Sequence, residues 1–285
     1  MPSFDRFIAV DWSGAKGKSY KGIAVAECLK GSEAPTLVAP PGHRWKRSQF
    51  VEWLSTYHDP HARILVGIDC SFALPAEMAS QLLGDGYSAF DLWSYIDTIS
   101  LLQGDFCASE FVTHNDHRHL YWHSGTRPPD FVESHRATEK ACAHNKLGHP
   151  QSTLKLIGSK QVGKASLAGM RVLHALKRRL GNDFAVWPFE PIDGARIVCV
   201  EIYPRLFLRM AGHGNGKAAA SDISNCLAEL GSLPFNGSAA LSDHDTDALV
   251  SAAGLRAIVD DHDNWQPKTL DSLAIRAEGW IFGVT

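Results

Sequence analysis

Three short apolar runs, each bearing an acid at or near its end, limit most strongly what this chain can fold into: Arg6-Phe-Ile-Ala-Val-Asp11, Ile64-Leu-Val-Gly-Ile-Asp69 and Arg196-Ile-Val-Cys-Val-Glu201-Ile. Unbroken hydrophobicity over so few residues reads as a strand covered on both faces, which is how strands of a parallel sheet read. The middle run should be central. Open α/β sheets bind ligands outside the carboxyl ends of their strands, so acids placed there could meet in one crevice although they are far apart in the chain.

The segments between the runs decide the fold class. Ser13-Gly14 and Gly17 supply turn material after the first run; Gly22 to Glu27 alternates as an antiparallel partner would, and Thr36 to Ala39 completes a three-strand meander. Ser48 to Tyr57 reads as a helix with Ser48 as its N-cap and Phe50, Val51, Trp53 and Leu54 on its apolar face. Pro75 starts a helix over Ala76 to Leu83, and Phe90 to Leu102 gives another. Ala165 to Leu180 has apolar residues near helical spacing and ends in Lys177, Arg178 and Arg179, which complement the helix dipole, before Gly181 stops it. Pro204 closes the third strand. Asp243 to Val259 is a helix opened by Ser242 and three aspartates. Right-handed crossovers then set the three acid-bearing strands side by side and parallel, in a mixed α/β sheet flanked by helices. The chain of 285 residues reads as one domain, with an irregular insertion or lid at about 104–150 that carries Pro128-Pro129 and many His and aromatic residues.

Composition excludes several classes. Hydrophobic residues at 45% and charged residues at 21% are wrong for a disordered chain. The opening MPSFDRF lacks a basic region followed by an apolar stretch, and no run approaches the roughly 20 apolar residues that span a bilayer, so a cytoplasmic location without membrane association is expected. Six cysteines stand singly, without the close pairs of zinc or redox motifs, and are expected to be reduced and mostly buried. The net charge of −3 gives no global nucleic-acid footprint, yet residues 141–182 contain no Asp or Glu, while Lys140 to Arg179 contribute nine positive charges.

Phosphodiester hydrolysis needs an activated water and a stabilised leaving oxygen, which two divalent ions about 4 Å apart can supply. Magnesium or manganese is best held by carboxylates. Asp11, Asp69 and Glu201 come from strand ends; Asp247 comes from the last helix, with Asp243 one turn earlier on the same face. Turn and cap duties compete with this reading for each acid taken singly, Asp243 above all. Asp247 lies inside a helix, and if it faces the core it needs a partner or a metal.

Ile8-Ala-Val-Asp11-Trp-Ser-Gly14, Gly67-Ile-Asp69-Cys-Ser71, Val200-Glu201-Ile-Tyr-Pro204 and Asp243-His-Asp-Thr-Asp247-Ala-Leu together resemble domain-of-unknown-function family 429 (DUF429), described as predicted nucleases of ribonuclease H-like fold, nearly end to end. The resemblance implies a ribonuclease H-like mixed sheet, with Asp11 bridging the metals, Asp69 as the central-strand ligand and Asp247 or Asp243 as the last-helix ligand. Glu201 is distinctive of the family. A metal-dependent nuclease acting on DNA or RNA is therefore expected, with Asp11, Asp69, Glu201 and Asp247 as catalytic acids and Mg2+ or Mn2+ as cofactor.

Ser13 and Ser71 follow their acids by two positions and are candidates to bind a phosphate oxygen, with turn formation as the competing explanation. Lys160 and Lys164 are further candidates, although Gly158 to Lys164 is not a P-loop. His114, His117, His119 and His123 form the densest histidine cluster, whose interleaving with Asn115, Asp116 and Arg118 suits an exposed loop better than a metal site. Two alternatives stay open: an ATP-handling enzyme of the actin and sugar-kinase superfamily, whose first hairpin also begins with an acid and a Gly/Ser turn, and an inert binding module of the same fold. Ala-Leu-Pro rather than glycine after Phe72 argues against the first.

Overall fold

A computed structural model describes residues 2–285 other than 18, 124, 130, 158–161, 215–220 and 238–239. Its six strands are β1 (Arg6–Asp11), β2 (Ala24–Leu29), β3 (Thr36–Leu37), β4 (Ile64–Ile68), β5 (Phe184–Val186) and β6 (Ile197–Glu201). They form one sheet in the order β3-β2-β1-β4-β6-β5. β1 pairs antiparallel with β2, and β2 with β3, while β1, β4, β6 and β5 run parallel. The three acid-bearing runs are thus adjacent and parallel as expected. β5 was not anticipated from the sequence.

Ten α-helices are described: α1 (Arg47–Ser55), α2 (Ala76–Leu83), α3 (Ala89–Ile99), α4 (Ser109–Thr113), α5 (Ala137–His144), α6 (Gly163–Leu180), α7 (Pro204–Met210), α8 (Ile223–Glu229), α9 (Asp243–Ile258) and α10 (His262–Trp265). α4 and α5 lie in the segment read as an irregular insertion. Ser48 is not the cap of α1. It sits inside the helix, and the carboxylate of Asp105 accepts from Arg47 N at 3.2 Å and Ser48 N at 2.8 Å, satisfying two of the free amides at that end. Ser242 does cap α9, in a capping box with Asp245. None of the described helices is long and apolar enough to cross a membrane. All six cysteines are free and buried.

Strand alternation divides the core in two. Ile8 and Val10, Ile64, Val66 and Ile68, and Ile197 and Cys199 face the layer built with α1, α2, α3 and α6. Phe7 and Ala9, Leu65, and Val198 and Val200 face the layer built with α7, α8 and α9. Gly67 has a packing role on this second face: a Cβ there would come within 2.6 Å of Ile202 and 2.8 Å of Leu255, so only hydrogen lets α9 lie this close to β4.

Candidate functional site

Strand parity decides which acids can meet. Asp11 has the parity of Phe7 and Ala9, and Asp69 that of Leu65 and Gly67, so both project toward α9. Val10 and Ile68 are paired across the parallel ladder, and Asp69 N donates to Val10 O at 2.9 Å, which brings the two acids level. Asp11 is 7% exposed. Burial pushes the Asp69 carboxyl well above the usual carboxylate range, and the charges of Asp11, Asp247 and Glu201 and a hydrogen bond with Asp11 raise it further. The ionised form of Asp69 is therefore disfavoured where it stands beside Asp11. Asp247 reaches this neighbourhood from the second turn of α9, which packs across β1 and β2.

A histidine completes the group. His244, in the first turn of α9 and three residues before Asp247, places Nδ1 2.5 Å from Asp11 Oδ2. A carboxylate oxygen of Asp11 accepts from this ring nitrogen when Nδ1 carries the proton. The sequence reading passed over His244 as part of a helix start, although the quoted Asp243-His-Asp motif contained it.

Glu201 is turned the other way. Its backbone pairs with Ile68, one residue out of phase with Asp69, so its side chain lies on the face of Ile197 and Cys199. Arg136, fully buried, grips it through two bonds: Nη1 donates to Oε2 at 2.8 Å and Nη2 to Oε1 at 2.5 Å. Phe72 N donates to the same Oε2 at 3.0 Å. Arg136 also donates from Nε to Glu139 Oε1 at 2.9 Å and from Nη1 to Glu278 O at 2.8 Å. The Glu201 carboxylate is thereby neutralised beneath the crevice rather than presented in it. Nothing in the sequence marked Arg136, which comes from the 104–150 segment.

Ser13, Ser71, Lys164 and Asp243 stand around these acids in different ways. Ser13 Oγ accepts from Ala15 N at 3.2 Å, and the Ser13 carbonyl is held by Arg47 Nε at 3.1 Å and Nη2 at 2.6 Å, so this serine shapes the turn after Asp11. Ser71 is 9% exposed and its amide donates to Ser166 Oγ at 3.2 Å. Lys164 is in the first turn of α6, whose start packs against Gly14: a Cβ there would lie 2.2 Å from Ala165 N. Trp12 Nε1 donates to Ala165 O at 3.2 Å from the same turn. The positive end of an 18-residue helix is thus fixed beside the strand that carries Asp11. Asp243 is exposed in the first turn of α9. Lys160 lies outside the described residues.

The histidine cluster is not a common site. His117 is fully buried, with Nε2 2.8 Å from Tyr95 OH and Nδ1 2.9 Å from Phe111 O, and its ring stacks on Phe111. Burial holds it below the usual imidazole value. His114, His119 and His123 are exposed.

Whether the donor set fits a divalent cation turns on geometry and on chemistry. Among the described residues no group of three or more His, Cys, Asp or Glu side chains stands in ligand geometry. The chemistry nonetheless suits one: Asp11, Asp69 and Asp247 offer hard carboxylate oxygens, and the leading influences on Asp69 all disfavour its negative charge, a state that a cation relieves. Comparison with family models, with curated proteins and with solved structures finds no match in any of the three.

Proposed function

We propose that this chain is a divalent-metal-dependent phosphodiesterase of ribonuclease H-like type, acting on nucleic acid. One observation carries the reading: Asp11 and Asp69, 58 positions apart, come level at the carboxyl ends of adjacent parallel strands, where Asp69 N donates to Val10 O at 2.9 Å, and the charges of Asp11 and Asp247 both raise the Asp69 carboxyl. The antiparallel meander joined to parallel β4 and β6 supports the fold assignment, and the DUF429 resemblance agrees with it.

Asp11, Asp69 and Asp247 would hold magnesium or manganese, with Asp243 one turn away on α9. Such an ion supplies an activated water and charge stabilisation at the leaving oxygen. The chain's own groups do the rest. His244 orients the Asp11 carboxylate, as the outer partners of ligating groups do. Lys164, in the first turn of α6, binds a phosphate oxygen beside Asp11, where the helix dipole favours an anion. Arg136 and Glu201 fix the end of β6 from below, and their mutual neutralisation lets the crevice above stay acidic. Glu201 is a positioning residue in this reading.

Cleavage of labelled DNA, RNA and junction substrates with magnesium or manganese, together with calorimetric metal titration, tests the proposal. Asp11→Asn and Asp69→Asn should each abolish metal-dependent cleavage and weaken metal binding. A wild-type chain that binds neither metal at millimolar concentration and cleaves no substrate refutes it; tight ATP binding in the same calorimeter would favour the kinase-like alternative.

A further inference from the structure

We propose that Lys16 and Lys21, on the described part of the β1–β2 turn, and Arg44 and Lys46 form a cationic track that holds double-stranded nucleic acid by its phosphate backbone. This rests on the nuclease reading and names the form of its substrate. Residues 12–26 contain no acid, nor do residues 34–51, and both stretches are basic. The fold brings them together: Tyr20 N donates to Trp45 O at 3.0 Å, and Arg47 Nη2 donates to Ala15 O at 2.9 Å. Lys16, Lys21, Arg44 and Lys46 are left exposed along the joined edge. Lys21 and Arg44 line an open cleft that ends at Ser242 and Asp245, in the turn of α9 that also carries His244. The Asp245 carboxylate in that cleft is taken by the cap, accepting from Ser242 N at 2.8 Å and Ser242 Oγ at 2.7 Å. Across Gly14, Lys164 adds a cation on the far side of the Asp11 turn. Positive charge therefore flanks the acidic crevice on two sides, as a backbone crossing it requires.

The rings decide between one strand and two. Proteins that hold single strands present aromatic faces on which bases stack. Here Trp12, Tyr20 and Trp45 are 6%, 2% and 2% exposed, all consumed by the core, and Tyr20 is further covered by the Arg47 guanidinium, 3.9 Å from its ring centre. Among the described residues of this edge no Trp, Tyr or Phe ring is exposed, and charge without such rings reads the backbone of a duplex.

Fluorescence anisotropy with the full chain in EDTA, where cleavage cannot interfere, tests this with labelled duplex DNA, duplex RNA, hybrid duplex and the separate strands. Wild type should prefer duplexes. Lys21→Glu with Arg44→Glu should weaken duplex binding at least about tenfold and lower the slope of log K against log salt by about two, one for each lost phosphate contact. Lys30→Glu with Lys268→Glu, an equal charge change elsewhere, should do neither, and the same substitutions as Lys21→Gln with Arg44→Gln guard against a folding defect. No binding by wild type in EDTA, an unchanged slope in the double variant, or a preference for single strands overturns the proposal. Duplex binding that obeys these expectations in a chain that never cleaves would sink the nuclease reading and leave the track standing. Metal-dependent cleavage with unchanged binding by the double variant would sink the track alone.

Discussion

Replacing Arg136 by methionine tests the buried ion cluster beneath the crevice. The guanidinium makes four hydrogen bonds, to Glu139 Oε1, both oxygens of Glu201 and the Glu278 carbonyl. Methionine keeps much of the volume and the backbone N–H that donates to Glu139 Oε2 at 2.7 Å, but it strands two carboxylates, Glu139 and Glu201, that are each 2% exposed. Removing one side of a buried pair costs about 3–5 kcal/mol, because the charge left behind is uncompensated. Against a typical stability of about 5–15 kcal/mol this is a large share. With a urea m-value of about 3 kcal/mol/M, the unfolding midpoint should fall by roughly 1–1.7 M. The sign of the pH dependence follows from burial, which already raises Glu139 above its ordinary value despite Arg136. A carboxyl whose folded pKa exceeds its unfolded one makes the folded state bind the extra proton, so stability falls as pH rises from the unfolded value through the raised one. Without the cation that window widens upward, and the deficit of Arg136→Met should be small at about pH 5 and full at about pH 8. Adding Glu139→Gln and Glu201→Gln should return most of the loss. Urea titrations at both pH values measure this; a deficit under about 1 kcal/mol, or one that grows on acidification, refutes the reasoning.

Asp69→Asn should raise the melting temperature of metal-free protein, since the raised Asp69 carboxyl costs stability once pH exceeds its unfolded value, and should abolish the added stability that magnesium or manganese confers; scanning calorimetry with and without metal reads both effects, and a lowered metal-free melting point contradicts them. His244→Ala removes the contact on Asp11 from a side chain that is 37% exposed, so the fold should hold while kcat/KM for metal-dependent cleavage falls about 10–100-fold, and unchanged kinetics would dismiss the orienting role. Asp105→Ala removes the bonds to Arg47 N and Ser48 N, and should cost about 1–2 kcal/mol in urea unfolding; no change would mean that solvent caps α1 equally well.

Much of the fold was legible because buried strands announce themselves. The runs ending at Asp11, Asp69 and Glu201 fell at β1, β4 and β6, their adjacency followed from crossover handedness, and the α6 apolar positions Leu167, Met170, Val172, Leu173 and Leu176 are all buried. The three-residue β5 offers too little pattern to detect. What failed to show was anything set by contacts distant in sequence. The α1 cap comes from Asp105, so the nearby Ser48 was a plausible local substitute for a tertiary solution. Glu201 looked equivalent to Asp11 and Asp69 because each ends an apolar run, but which face an acid takes depends on inter-strand register, and a both-sides-buried strand carries no alternation from which to read it. Arg136 gave no local signal, being one basic residue in a segment without periodicity.

The half-step between Asp69 and Glu201 makes the sheet edge a two-sided device. Level with Asp69 on β6 stands Ile202, whose amide donates to Ile68 O at 3.1 Å and whose side chain seals the bottom of the α9 layer. Deleting one residue from the turn before β6 would carry Glu201 into the place of Val200 on the α9 face, adding a fourth carboxyl to that side, and drive Ile202 against the Arg136 guanidinium. Loop-length drift at that turn is therefore barred from both directions at once.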